Sequence, residues 1–312
     1  MYPFNNVHYF SPTSVVRTFL SIGIVWLVGF FSYGFSSIEL GRLDFKEVTN
    51  QSGSSIDSVR AIFQDSKGYI YLGAQTGLYI FDGYKYIRYE HDDSDPNSIS
   101  ANWVTSIHED QSGTIWVGTK NGLNVFNRRS GDFKRFLHVE EDESTLLHNN
   151  IKSVCEGPNG TVWVGTHFGA CEFDSESQSF RRYKHVVNPE VGNDNQLTCL
   201  YVDRFGLVWI GTNDNGVYCL NVDANEFEQY SYDAGDSNSL TSNAITSIVG
   251  DDLGRLWVGT QEEPLGKLKG VMGGVNLYDR LKNNFDRYSL VVPGKDGWLR
   301  NASSLYIDHD DF

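Results

Sequence analysis

Variable polar side chains recur at one position of this sequence, directly after a repeated Gly-Thr or Gly-Ala pair. The candidates are Gln75, Lys120, Asn121, His167, Phe168, Asn213, Asp214, Glu262 and Glu263. Amides, carboxylates and imidazoles can hydrogen-bond the hydroxyl groups of a ligand, and an aromatic ring can stack on its apolar face. Varied side chains on a fixed frame are typical of a binding surface, with solvated loop tips as the alternative. These residues therefore predict binding.

At the last of these Gly-Thr pairs, Gly259-Thr260, an insertion follows the threonine. Gln261 to Gly273 separate Thr260 from Gly274, whereas the second position has only Lys120 and Asn121 there. An insertion of this length is either a lid or a tolerated surface excursion, and the sequence leaves both open.

No pattern favours catalysis or a metal ion. The D-x-x-G turns lack the alternating acidic series of a calcium loop, and no CxxC or HxxxH spacing occurs. Two acidic loops are interpreted as solvated rims, with weak divalent-cation binding as the alternative. They contain Glu90, Asp92, Asp93, Asp95, Glu140, Glu141, Asp142 and Glu143. We predict no catalytic residue, no metal site and no cofactor.

The elements that position the candidates come from an internal repeat. Five segments of the type Gly-x-x-Trp-x-Gly-Thr, the first with Tyr for Trp and Ala for Thr, begin 45 to 48 residues apart, at Gly68, Gly113, Gly160, Gly206 and Gly254. Each unit contains a first strand before a tight turn, two glycine-bordered strands and a fourth strand, usually F-x-x-Y. Four antiparallel strands per repeat are typical of a propeller blade. The predicted fold is all-β, an incomplete β-propeller of four-stranded blades.

The repeat also predicts the domain boundaries. The blade units fall at about 56–102, 103–149, 150–196, 197–244 and 245–303, with the start of a sixth at 304–312. Residues 1–40 are predicted to be a hydrophobic helix, either a signal peptide or a membrane anchor, because no charge interrupts the chain from Thr18 to Ser37. Residues 41–55 are a linker.

The charge of the chain excludes one class of partner. The first forty residues hold only Arg17 and Glu39, so the net charge of −15 belongs to the exported part. Such a surface repels phosphate backbones, and we expect no nucleic acid partner. It also favours a neutral ligand over an anionic one.

The repeated aromatic residues have a structural explanation. Trp116, Trp163, Trp209 and Trp257, with Tyr71 in the same register, are predicted to fill the wedge between neighbouring blades. The glycines two residues later allow the close approach of backbones on that face. Ligand stacking by these rings is the alternative.

The four cysteines are predicted to be free thiols. Cys155 and Cys199 fall on first strands and Cys171 and Cys219 on third strands of successive units. First and third strands lie about 9.5 Å apart, whereas a disulfide needs Cα atoms within about 7 Å.

The motif I-W-V-G-T-x-x-G-L-x-x-F, preceded by D-x-x-G and followed by F-x-x-Y, resembles the two-component regulator propeller repeat from about Ile56 to Tyr288. The chain does not resemble a WD-repeat, since none of its seven tryptophans precedes an aspartate. The resemblance implies the periplasmic input module of a membrane-bound bacterial sensor. Such proteins continue into further blades, a transmembrane helix and a histidine kinase or a diguanylate cyclase, and this chain shows neither output.

The expected function is therefore ligand sensing by a fragment of a longer signalling protein, with no enzymatic activity in this chain. The ligand is expected to be a small molecule or an oligosaccharide. Contact with the inner membrane would come from the N-terminal segment or from a C-terminal helix outside the chain, and a homodimer of the full-length form stays open. The alternatives are a cyclase input domain, a protein-interaction scaffold and a propeller-fold glycan lyase or hydrolase.

Overall fold

The computed structural model describes Ile56 and residues 58–184, 196–262, 273–288 and 302–305. These ranges contain β-strands and no helix, and no described segment could cross a membrane as a helix. The predicted leader and linker, residues 1–40 and 41–55, lie outside the described residues.

The strands form five antiparallel sheets of four strands in simple up-and-down order. Blade 1 contains β1 (Ala61–Gln64), β2 (Ile70–Ala74), β3 (Gly77–Phe81) and β4 (Tyr86–Tyr89). Blade 2 contains β5 (Val104–Glu109), β6 (Ile115–Thr119), β7 (Gly122–Phe126) and β8 (Phe133–Phe136). Blade 3 contains β9 (Ile151–Glu156), β10 (Val162–Thr166), β11 (Gly169–Asp174) and β12 (Ser179–Tyr183).

Blade 4 contains β13 (Leu197–Val202), β14 (Val208–Thr212), β15 (Val217–Asn221) and β16 (Glu226–Tyr230). Blade 5 contains β17 (Ile245–Gly250), β18 (Leu256–Thr260), β19 (Val275–Asp279) and β20 (Asn284–Tyr288). Neighbouring blades meet mainly through their first two strands, which places the first strands innermost. The predicted all-β, incomplete propeller is confirmed.

The wedge assignment of the aromatic residues is confirmed at four blade boundaries. Trp163 is 3% exposed and packs with Leu197, Leu200 and Val208 of the next blade. Tyr71, Trp116 and Trp209 lie in the same way against blades 2, 3 and 5. Trp257, at the equivalent position of blade 5, is only half-buried.

The glycines of the second strands allow the blades to approach each other. A Cβ added to Gly118 would lie 2.6 Å from Ile151 of the next blade, and one added to Gly211 would lie 2.6 Å from Ile245. Gly73 and Gly165 face Val104 and Leu197 in the same way. A larger residue would push the first strand of the neighbouring blade outward.

Residues 302–305 lie against blade 5 as the start of a sixth unit would. The hydroxyl of Thr246 donates to the carbonyl of Ala302, as the hydroxyl of Thr198 donates to the carbonyl of Ile245 one blade earlier. Ala302 is 6% exposed. Ala302 therefore contacts blade 5 as Ile245 contacts blade 4, although residues 302–305 form no strand.

The turns between first and second strands have a carboxylate at their centre. In blade 4, Asp203 accepts the backbone N–H groups of Phe205 and Leu207 and, through its second oxygen, the indole N–H of Trp209 at 2.8 Å. Asp110 and Asp251 bind Trp116 and Trp257 in the same way, and Asp65 binds the Tyr71 hydroxyl. Each of these carboxylates therefore holds a wedge residue, a bond that the sequence pattern did not indicate.

All four cysteines are free thiols on the predicted strands, β9, β11, β13 and β15. Burial raises the pKa of the Cys171, Cys199 and Cys219 thiols to about 12. Because the thiolate is the nucleophile, these side chains are unreactive core groups at neutral pH. Cys171 also accepts the backbone N–H of Leu147 at 3.3 Å.

Candidate functional site

The hairpin turns divide between the two ends of the sheets, because antiparallel strands reverse direction at every turn. We call the end that holds the turns between second and third strands, together with the blade-to-blade connections, the open face. The opposite end, with the D-x-x-G turns, is called the turn face. All described candidate residues lie on the open face.

The Gly-Thr pairs explain how one frame carries different side chains. The hydroxyl of Thr166 donates across its turn to the carbonyl of Gly169 at 2.9 Å, and Thr119 and Thr212 close their turns in the same way. In blade 5, Thr260 still bonds Gly274 although an insertion lies between them. The frame therefore depends on the threonine and not on the residues in the turn.

The first residue of each turn is also held by its backbone. The N–H of Lys120 donates to the carbonyl of Trp103, and the N–H of His167 donates to the carbonyl of Asn150, both at 3.0 Å. Asn213 and Gln261 bond Gln196 and Ala244 in the same pattern. These four residues are structural equivalents above the innermost strands, and the same backbone hydrogen bond holds each of them although their side chains differ.

Between blades 2 and 3 the open face carries a cluster of rings. The centroids of His167 and Phe168 are 4.7 Å apart, and His148 lies 5.5 Å from His167 and 4.9 Å from Phe168. Phe168 is 37% exposed. The Nδ1 atom of His167 is buried and has no hydrogen-bond partner among the described residues.

Two lysines lie at the same end of blades 2 and 3. The ammonium of Lys120 lies 3.1 Å from the centroid of the Trp103 ring, a cation–π contact. Lys152 is half-buried on β9, and burial together with the nearby charge of Lys120 lowers the pKa of its ammonium. We call Lys120, His148, Lys152 and His167 the cationic cluster.

The cluster keeps its histidines neutral at pH 7. Burial, followed by the charge of Lys152 and then by His148, lowers the pKa of His167. Burial, followed by His138 and Lys152, lowers the pKa of His148. The backbone N–H of Asn150 donates to Nδ1 of His148 at 2.9 Å, so the proton of the neutral ring is on Nε2, which is a hydrogen-bond donor.

The other candidates are spread over the open face. Asn213 and Asp214 are half-buried at the blade 4 turn, where the amide of Asn215 donates to Asp214 at 3.3 Å. Gln75 is half-buried at the blade 1 turn, Asn121 is exposed beside Lys120, and Glu262 is exposed in blade 5. Glu263 and most of the insertion lie outside the described residues.

Sequence reasoning missed three residues of this region, Trp103, His148 and Lys152. Trp103 and His148 lie before the first strands of blades 2 and 3, outside the turns on which the prediction concentrated. Lys152 lies at a bulge in β9 where the ladder to β10 shifts register. The aligned repeats held a signal for it, because Thr105, Thr198 and Thr246 occupy the same position in other blades.

The acidic rims of the open face have internal partners. Asp92 and Asp142 each accept the backbone N–H of the serine two residues later. Arg135 and Arg182, from the fourth strands of blades 2 and 3, donate to the carbonyls of Ser98 and Thr145 in these loops. Within the described ranges, no group of three or more His, Cys, Asp or Glu side chains could hold a metal ion.

The turn face is occupied by ion pairs between neighbouring blades. Arg128 of blade 2 donates to Asp65 of blade 1 at 2.8 Å, and Arg280 of blade 5 donates to Asp203 of blade 4 at 2.7 Å. A small cavity on this face is lined by Asp203, Arg280 and Tyr201, among others. Since its charged groups already bind each other, this cavity serves packing.

Comparisons with known proteins agree with this architecture. A family model described as two component regulator propeller matches residues 98–121, 145–168, 192–214 and 239–262. No curated protein matches the chain.

Solved structures share the fold. The extracellular domain of a hybrid two component system from B. thetaiotaomicron is 22% identical with a TM-score of 0.62, over 76% of this chain and 31% of that one. A second such domain from that organism is 19% identical with a TM-score of 0.55, over 78% and 42%. Virginiamycin B lyase from Staphylococcus aureus is 12% identical with a TM-score of 0.57, over 80% and 74%.

This chain thus spans less than half the length of either extracellular domain. At these identities the structural likeness concerns the fold alone. Each matched segment runs from a blade-to-blade loop through a D-x-x-G turn to the open-face turn, with the exception of the third blade's Gly157. Those four segments of the chain match the two component regulator propeller repeat.

Proposed function

We propose that this chain is the extracytoplasmic, ligand-sensing part of a membrane-bound two-component signalling protein, and that its ligand binds on the open face. The observation that carries the proposal is the set of equivalent positions at Lys120, His167 and Asn213. Each backbone is fixed by the same hydrogen bond while the side chains differ in charge and size. Such positions can change chemistry without disturbing the fold.

The repeat family and the likeness to extracellular domains support the signalling role. The ligand class that suits the open face is a small molecule or an oligosaccharide. Imidazole, amide and ammonium groups can bind its oxygen atoms, and the exposed part of Phe168 offers an apolar contact. Signal output would come from a kinase or cyclase domain elsewhere in the longer protein.

Two measurements test the proposal. The first is location: alkaline phosphatase fused after Phe312 should be active in bacterial cells, because that enzyme folds only outside the cytoplasm, whereas β-galactosidase at the same point should be inactive. The opposite pattern would refute an extracytoplasmic module. The second is binding: a panel of oligosaccharides should include one that raises the melting temperature of the chain.

A propeller enzyme is the second candidate. The observation that favours it is the His148–His167 pair on the open face, together with the shared fold of virginiamycin B lyase. Neither imidazole is hydrogen-bonded to a carboxylate among the described residues, as a general base usually is when it must be oriented. Turnover of a bound glycan that disappears in His148→Ala and His167→Ala would establish this alternative.

A further inference from the structure

The cationic cluster is rich in basic side chains although the molecule around it is acidic. The chain carries a net charge of −15, and the loops at the rim of the open face are acidic. Nevertheless Lys120, Lys152 and two histidines lie together between blades 2 and 3. Among the described residues, none of these four side chains forms an ion pair with a carboxylate.

Lys152 is the least expected member of the cluster. At the equivalent bulge, the hydroxyls of Thr198 and Thr246 join two blades by donating to the carbonyls of Ile245 and Ala302, whereas the Thr105 hydroxyl has no partner among the described residues. Lys152 cannot form this hydroxyl bond, and its ammonium lies in a half-buried site near the charge of Lys120. Lys120 is exposed and Lys152 half-buried, so solvent screens their mutual repulsion only in part, and an anion between them would relieve it.

Three of the four side chains in the cluster offer hydrogen-bond donors. Both ammonium groups are donors, and the Nε2–H of His148 is a donor because the backbone of Asn150 occupies Nδ1. The buried Nδ1 of His167 has no partner within the described chain. Phe168 adds an apolar wall 4.7 Å from the His167 ring centroid. Donors around an apolar wall suit an oxyanion attached to a carbon skeleton.

We propose that the cationic cluster binds the carboxylate or sulfate group of a small anionic ligand, so that the sensor recognises an acidic compound. This inference rests on the proposed function, since it assigns the ligand class of the same open face. It departs from the expectation of a neutral ligand, which considered the net charge of the chain and not the local arrangement. Lys120 and Lys152 supply the charge, His148 a directed donor and Phe168 the apolar contact.

The test is a titration of the whole chain, observed through the ring carbon-bound protons of its histidines by NMR. The probes are sodium glucuronate and sodium sulfate, with glucose as the neutral counterpart of glucuronate and sodium chloride at matched ionic strength as the control for screening. Glucuronate or sulfate should shift the His148 and His167 signals saturably, and raise the pKa of both rings by about one unit. Glucose and chloride should not.

Variants of single lysines test whether the anion binds at the cationic cluster. Lys152→Met keeps the length of the side chain and should weaken binding of the anion by about tenfold or more, since a charge-assisted bond is lost. Lys152→Arg should retain it. Lys134→Met is the matched control: it removes the same charge from the exposed outer strand of blade 2, where Lys134 binds Gln178, and should leave the affinity within about twofold.

The outcomes separate this inference from the proposed function. Equal saturable shifts with glucose and glucuronate, or undiminished anion binding by a folded Lys152→Met, would overturn the anionic ligand class and leave open-face sensing intact. Histidine signals unmoved by either anion would overturn it as well. The fusion experiment on location, by contrast, can fail only for the proposed function. Shifts by one anion alone would support the inference and identify the oxyanion.

Discussion

The two faces of the propeller use polar residues in opposite ways. On the turn face the same carboxylate recurs, and each one is used by its turn backbone, by an indole or phenol and, in two blades, by an arginine of the next blade. On the open face the equivalent positions carry Lys120, His167 and Asn213, whose side chains do not hold the frame. Carboxylates that bind neighbouring groups stabilise the blades, whereas open-face side chains that form no ion pair among the described residues are available to a ligand.

Blade 3 lacks the carboxylate that recurs in the other turns of the turn face. Blade 3 has Gly157 where the others have aspartate, and the neighbouring blade has Val222 at the position of Arg128 and Arg280. A Cβ on Gly157 would lie 3.2 Å from Val202 of that blade. Carboxylate and arginine are absent together at this boundary, whereas Asp110 of blade 2 keeps its carboxylate with Ser175 at the arginine position of blade 3.

The largest effect is expected at the blade boundaries. Trp163→Ala should lower the free energy of unfolding by about 3–5 kcal/mol, because it leaves a cavity between blades 3 and 4. Trp257→Ala, at the half-buried equivalent, should cost clearly less. Urea unfolding followed by circular dichroism measures both variants. An equal loss of unfolding free energy in the two variants would mean that these residues do not stabilise the chain through burial between blades.

A smaller loss is expected from the turn face. Asp203→Ala removes the acceptor of the Trp209 indole and leaves Arg280 without its carboxylate. The expected cost is about 2–3 kcal/mol, below that of a fully buried pair because the Arg280 side chain is 27% exposed. Asp132→Ala, on an exposed hairpin, is the matched control and should change stability by less than about 0.5 kcal/mol. Equal effects of the two changes in urea unfolding would remove the distinction between turn-face and surface carboxylates.

The turn face also predicts how stability depends on pH. Burial alone would raise the pKa of Asp110, but hydrogen bonds from Ser112, Trp116 and Thr114 outweigh it and hold the pKa below its ordinary value. A carboxyl whose pKa is lower in the folded chain contributes stability that is complete above about pH 4 and is lost as the pH falls through the folded value. Asp110→Asn should therefore lose less stability than the wild type between pH 7 and pH 3. Parallel losses in urea unfolding at the two pH values would show that Asp110 does not contribute.

Much of the fold was predictable from the sequence because the repeat is a physical unit. The glycines, the D-x-x-G turns and the tryptophans each have one structural solution in an antiparallel blade, and four wedge positions were predicted correctly. The Asp203–Arg280 pair joins residues 77 positions apart in the sequence, and no local pattern reveals such a contact.

The candidate site was predictable only in part. The turn residues lie on the open face as the repeat required, yet the cationic cluster also needs His148 and Lys152, which come from other elements. Their association depends on the bulge in β9 and on the packing of blade 2 against blade 3. The net charge of the chain does not describe this region, since acidic residues of the neighbouring loops have their own hydrogen bonds.

The smallest effect on stability is expected from the open face. His167→Ala combined with Asn213→Ala should leave the melting temperature within about a degree or two, because neither side chain supports the frame and surface changes cost less than about 0.5 kcal/mol. The same double variant should lose its response to ligand. A melting temperature lowered by many degrees in calorimetry would assign these residues to packing.

The central claim is that the ligand binds on the open face and that the turn face contributes stability. Its most direct test is the calorimetric titration of one ligand, chosen because it binds the wild type, into three proteins. These are the wild type, the His167→Ala/Asn213→Ala variant and the turn-face variant Asp110→Asn. The account predicts that the double variant loses affinity by about tenfold or more while Asp110→Asn binds within about twofold of the wild type. Undiminished binding by the double variant, with loss of binding in Asp110→Asn, would contradict it.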